Sequence, residues 1–165
     1  MILSDTMAKT MFKVAYKAAS TSPDTRTQVG VVLVSNKNLM TPACNEPSPG
    51  FTIDSNEYKD NKYAIMEHAE RNAIFAAHKK NIPTDGATLF SPWGSCSDCA
   101  RAIVLSGIRT VVRHVEILEQ SFPRWIESMA IGDEILTRGG VDIIEYSIKN
   151  IGANPILMDG NIWQA

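Results

Sequence analysis

Apolar positions recur along this chain with two periods. In residues 4–20, Met7, Met11, Val14 and Ala18 stand at i, i+4, i+7 and i+11, the stripe of an amphipathic helix, with Ser4 placed to cap it. "TSPDTRT" then breaks the period with polar residues and a proline. "QVGVVLVS" is a β-branched run and predicts a strand buried on both faces. "NKN" predicts a hairpin turn and "LMTPAC" a second strand. Residues 45–63 are polar, with Pro and Gly, and read as a functional loop or an insertion.

The helical period returns in "AIMEHAERNAIFAAHKKN", where Ala64, Ile65, Ala69, Ala73, Ile74, Phe75 and Ala77 supply an apolar surface and Pro83 follows the end. "GATLFS" predicts a strand, and "SDCARAIVLSG" a helix stopped at Gly107. "IRTVVRHV" predicts another strand. "FPRWIESMAIGDEILTRGG" predicts a helix with a Gly-Gly stop, and "VDIIEYS" a final strand. Residues 148–165 show no clear period. The order α-β-β-α-β-α-β-α-β predicts a three-layer α/β domain: a mixed five-stranded sheet with helices on both faces, in one domain over residues 1–165.

Composition changes this picture little. The chain has 165 residues, 44% of them hydrophobic and 21% charged, which is ordinary for a globular domain. A formal charge of -2 gives no basic face for nucleic acid. No apolar run reaches the ~20 residues of a membrane span, and the N-terminus lacks a signal-peptide core. A cytoplasmic location is expected. In a reducing compartment, three cysteines point to metal or catalysis rather than to a disulfide framework.

Cys96 and Cys99 form a C-x-x-C pair with three readings: a redox couple, half of a structural zinc site, or half of a catalytic metal site. A structural site needs two more ligands, and apart from His68 the chain offers only Cys44, His78 and His114, with no second C-x-x-C. A redox pair remains compatible with a position between strand and helix. The segment "EHAERNA" favours the third reading. His68 and Glu70 lie near the start of one predicted helix, and the cysteines near the start of the next, 28 residues on. Helix N-termini that follow strand ends gather at one sheet edge, where ligand sites form. Two cysteines and one histidine leave the fourth zinc position open. Glu70 projects in another direction and suits proton transfer.

H-x-E followed by C-x-x-C marks the zinc nucleobase deaminases. "HAERNAI" with "SCSDCARAIVLSGI" resembles that family, and most of all the deoxycytidylate (dCMP) deaminases and their bacterial and phage relatives, over roughly residues 7–147. The resemblance implies a cytidine-deaminase-like fold, with zinc held by His68, Cys96 and Cys99 and protons shuttled by Glu70. It places Asn45 at the substrate sugar, the Ala69 N–H at the pyrimidine carbonyl, and the Trp93 backbone at the exocyclic amine. It also implies a homo-oligomer. Ser95 stands where the family usually has proline.

The long spacing between Asn45 and His68 is similar to that of dCMP deaminases rather than of tRNA deaminases. A free nucleotide needs a local phosphate clamp, for which Arg26, Lys62, Arg71 and Arg124 are candidates, Arg26 and Arg124 foremost. Simpler roles are expected elsewhere: a small buried hydrophobe for Cys44, surface or strand-edge positions for His78 and His114, and docking of the tail through Trp163. The expected reaction is hydrolysis of dCMP to dUMP and ammonia. The alternatives are deamination of cytidine, a 5-modified dCMP, or a riboflavin-precursor or pterin-like heterocycle, and, from another class, a non-catalytic zinc-binding protein.

Overall fold

Gly30–Val34 (β1) has no polar position and no exposed one, so both of its faces must be covered. In the computed structural model, which describes residues 3–120 and 123–165, β1 lies inside a mixed sheet. Met40–Cys44 (β2) forms one edge, antiparallel to β1, with Val32 opposite Pro42. Proline is tolerated there because an edge strand needs fewer ladder donors. On the other side β1 runs antiparallel to Thr88–Phe90 (β5), which pairs in parallel with Thr110–His114 (β6), itself parallel to Asp142–Tyr146 (β7). The order is β2-β1-β5-β6-β7, the five-stranded mixed sheet that the alternation of elements predicts.

Alternate strand residues feed two cores. Val32, Val34, Phe90 and Val112 pack with the helix Asp5–Ala19 (α1) on one face. Val31, Leu33, Leu89 and Val111 pack on the other face with Ala69–Lys79 (α3), Ser97–Leu105 (α4) and Pro123–Arg138 (α6). Helices therefore cover both faces. Phe122, the expected start of α6, lies outside the described residues. Gly107 and Gly140, with φ of +79° and +74°, end α4 and α6 where the glycine stops are expected.

The sequence reading of α1 needs a correction. Ser4 caps it, accepting from the Met7 N–H, but the fully buried stripe is Ala8, Phe12, Ala15, Tyr16 and Ala19. Met7, Met11 and Val14 only flank it. The true stripe sits one position, about 100°, further round. The cause is close contact with the sheet: a Cβ at Gly30 would lie 2.2 Å from the Ala19 nitrogen and 2.3 Å from the Ala15 carbonyl oxygen. Small residues must face the strand there, and Phe12 and Tyr16 fill the space beside them.

A second correction concerns residues 45–81. Instead of one loop and one helix, the chain forms Glu46–Pro47 (β3), the helix Asn56–Ile65 (α2) and Met66–Glu67 (β4), which pairs with β3, before α3 begins at Ala69. Ala64 and Phe75, expected on the apolar surface, are exposed. After β6, Val115–Leu118 (α5) adds a single turn. The tail is also ordered, because Ile156–Met158 (β8) and Asn161–Trp163 (β9) form a hairpin. The hairpin docks on the α1 face through Ile156 and Met158, and Trp163 stacks on Tyr16 with centroids 5.4 Å apart.

His114 is a third correction. It is buried rather than at the surface, with Nδ1 2.6 Å from Tyr16 Oη and Nε2 2.9 Å from the Ile148 carbonyl oxygen. His78 is exposed as expected, and Cys44 is half-buried near Thr21 Oγ1. No helix among the described residues is long and apolar enough to cross a membrane.

Candidate active site

His68 and Cys96 are the N-cap residues of α3 and α4, both in extended backbone conformation, and neither side chain caps its own helix. Both side chains turn toward the space between the two helix starts. His68 Nδ1 lies 3.5 Å from Cys96 Sγ and 3.5 Å from Cys99 Sγ, Cys99 being one turn into α4. Zinc bound tetrahedrally at about 2.0–2.3 Å holds N and S ligands about 3.5 Å apart, so the separations match a metal shell. Among the described residues these three form the group that could hold a metal ion, and all three cysteines are free thiols. The separations hold although Ser95, wholly buried with its Oγ lacking a partner, replaces the usual proline.

Electrostatics agree with a cation site. Hydrogen bonding from Cys99, opposed by burial and helped by His68, pulls the Cys96 thiol down to about 4. The same hydrogen bond and burial push the Cys99 thiol up. Two thiols this close cannot both ionise without a positive partner, and a divalent cation is such a partner. The positive ends of two helices add to the same preference for thiolate.

Glu70 is one residue into α3 from Ala69 and is 4% exposed. Burial raises its pKa, with the neighbouring His68 opposing. It lines a cavity of about 300 Å³ together with His68 and Cys96. Ala69 also lines it, at the first helical position, where the backbone N–H has no acceptor within the helix. Trp93, mostly buried, lines the same cavity.

Asn45 lines the cavity too, but its amide is engaged. Its Oδ1 accepts from the Val29 N–H at 2.8 Å, and its Nδ2 donates to the Thr27 carbonyl at 2.9 Å and to Asp24 Oδ2 at 3.4 Å. The side chain thereby fixes the loop that carries Arg26. Arg26, Lys62 and Arg124 all reach the cavity. Arg71 is not among the lining residues: it pairs with Glu67, and its Nη1 lies 3.8 Å from Cys99 Sγ. Exposure orders the lining, from Glu70 at the bottom to the Arg26 and Arg124 side chains, 64% and 44% exposed, at the mouth.

Several lining residues escape the sequence reading. Trp125 and Tyr63 form a wall, with Trp125 edge-on to both Tyr63 and His68 at centroid distances of 6.0 and 6.2 Å. Asp24 pairs with Lys62 at 2.8 Å, and Asp159 pairs with Arg26 at 2.8 Å and Arg124 at 3.4 Å. Asp159-Gly160 between Ile156-Leu157-Met158 and Asn161-Ile162-Trp163 is a hairpin signal that the sequence does contain.

Residues 5–115 match the family described as the cytidine and deoxycytidylate deaminase zinc-binding region, more than half of the chain. The chain belongs to this family. Its deaminase relatives include an uncharacterised deaminase of Aliivibrio fischeri, 30% identical over 138 residues that cover 82% of this chain and 90% of that protein. The deoxycytidylate deaminase of phage T4 is 34% identical over 84 residues, 51% of this chain. That match spans only 39% of the phage protein's length. The dCMP deaminase of cyanophage S-TIM5, solved with dCMP and dUMP, shares the fold: TM-score 0.65 at 22% identity, covering 87% of this chain and 99% of that one.

Proposed function

We propose that this chain is a zinc-dependent hydrolytic deaminase of a free cytosine nucleotide, dCMP above all. One observation carries the reading: a buried carboxyl and a three-donor metal cluster open onto a cavity whose mouth carries two arginines. The cavity is at the small end of the ~300–1,000 Å³ typical of ligand sites, which suits a single nucleotide. Membership of a deaminase family and likeness to a dCMP deaminase fold support it.

In this reading His68, Cys96 and Cys99 hold the zinc. Bound there, the metal supplies a strong nucleophile from water near neutral pH. Glu70 would take one proton from the attacking water and pass it to the ring nitrogen, then take the proton of the hydroxyl left at the attacked carbon and pass it to the departing amine, so that each proton it gives is one it has received. Burial suits it to the task, since a carboxyl with a raised pKa both accepts and returns protons. The Ala69 N–H meets the pyrimidine carbonyl, and the Trp93 backbone meets the exocyclic amine. Asn45 sits at the sugar and orders residues 24–29. Arg26 and Arg124 take the phosphate.

A second reading has its own support. Asp24 and Asp159 already neutralise part of the positive charge, which favours a neutral nucleoside such as cytidine or deoxycytidine. Ammonia release from the purified protein, measured with dCMP, CMP, deoxycytidine and cytidine, separates the two. Higher kcat/KM on dCMP supports the nucleotide; equal values on nucleotide and nucleoside favour the second reading.

A further inference from the structure

Asp159 sits at the tip of the β8–β9 hairpin, in a turn whose two central residues have φ of +50° and +85°. The turn is tied to the segment that carries Arg26. The Asp159 N–H donates to Thr27 Oγ1 at 3.3 Å, the Gly160 N–H to the Arg26 carbonyl at 2.8 Å, and the Gln28 N–H to the Leu157 carbonyl at 2.8 Å. The carboxylate is therefore pinned by its backbone beside both arginines, and not carried on a loose tail. Arg26 holds its pKa below the ordinary carboxylate range, so it is charged at neutral pH.

The formal charges of the ion-paired groups along the cavity, apart from Glu70 at its bottom, can be summed. Arg26, Lys62 and Arg124 contribute three positive charges, and Asp24 and Asp159 two negative ones. A single phosphoryl group brings about -1.5 to -2 and meets a set of paired side chains with one net positive charge. Ion pairs as exposed as those of Asp159 are weak, so one phosphate can share or take over the arginines at little cost. A second or third phosphoryl group adds charge next to a carboxylate whose backbone cannot withdraw. Like charges in one site repel, and selectivity is often built from such a repulsive element.

We propose that Asp159 is a specificity-determining residue that restricts the mouth of the cavity to one phosphoryl group, admitting nucleoside monophosphates and rejecting di- and triphosphates. The inference rests on the nucleotide reading of the site. Asp159→Asn tests it, because asparagine tolerates the positive φ and keeps the side-chain shape while removing the charge. The quantity read is kcat/KM on dCMP, dCTP and deoxycytidine for wild type and variant. Calorimetric affinities for dUMP and dUTP give a readout without turnover.

In the wild type, dCMP is expected to exceed dCTP by at least about 10²-fold. In Asp159→Asn that ratio is expected to fall by about tenfold or more, with the dUMP:dUTP affinity ratio falling in parallel. A wild type that prefers dCMP over deoxycytidine but whose dCMP:dCTP ratio is unchanged by the substitution overturns the role of Asp159 alone. A wild type that uses dCMP and deoxycytidine equally overturns the nucleotide reading, and this inference with it.

Discussion

His68 and Cys96 each cap a helix with their backbone and point their side chains at each other, Nδ1 to Sγ, across 3.5 Å. Neither residue is a common capping type, and neither uses its side chain for a cap bond. Each helix start thus gives up a side-chain cap and gains a metal donor. Removing one donor should dissolve the site without dissolving the fold. Cys96→Ser is expected to purify folded but with well under one zinc per chain, against about one in wild type, by elemental analysis. An equal zinc content would place the metal elsewhere.

Arg26 and Arg124 stand at the cavity mouth on different elements, a loop and α6, so their contributions to phosphate binding should be separable. A charge-assisted bond to phosphate is worth about 1.5–3 kcal/mol. Arg26→Ala or Arg124→Ala is expected to raise KM for dCMP about tenfold or more. The dCMP preference over deoxycytidine should shrink accordingly, and it should weaken in wild type as salt rises. A preference insensitive to both substitutions and to salt would remove these arginines from the site.

Gly30 marks where α1 touches the sheet. A methyl group there would meet backbone atoms of Ala15 and Ala19, which cannot swing away as a side chain can. Gly30→Ala is expected to cost about 3 kcal/mol or more, read from the shift in urea midpoint. A loss under about 1 kcal/mol would mean that the helix shifts freely over β1.

Burial lowers the pKa of His114, partly offset by its bond to the Ile148 carbonyl and by Glu116. A histidine with a folded pKa below its unfolded value stabilises the fold above about pH 6.5, and that stability is lost as the pH falls. Melting temperature should therefore hold from pH 8 to 7 and decline between 6.5 and 5. His114→Gln should be less stable at pH 7.5 and show a flatter profile between 7 and 5. A wild-type profile flat over that range would contradict the assignment.

Strands β1, β6 and β7 are legible because they are short β-branched runs, and the helix stops because they are glycines, signals that act locally. The zinc donors were legible because both motifs sit at helix starts, and helix starts in such a sheet converge. The α1 stripe in the sequence pattern lies one position from the buried one because Met and Val outrank Ala in hydrophobicity. What decides the buried face is the close approach at Gly30, a contact between distant parts of the chain. The helix start at Ala69 was missed because β4 has only two residues and pairs with a two-residue partner. Trp125 and Tyr63 reach the cavity through long-range packing that no local pattern encodes. Asp159 carried a local signal, the Asp-Gly turn, but its place beside Arg26 depends on where the hairpin docks.

In the proposed reaction Glu70 moves protons at a zinc site built from His68, Cys96 and Cys99. Zinc content and ammonia release from dCMP, measured together on wild type and Glu70→Gln, test it most directly. About one zinc per chain is expected in both proteins. Wild type is expected to turn over, and the variant to lose about 10²-fold or more, since one residue serves several proton transfers. Near-wild-type turnover by Glu70→Gln, or full activity in protein that holds no zinc, would contradict it.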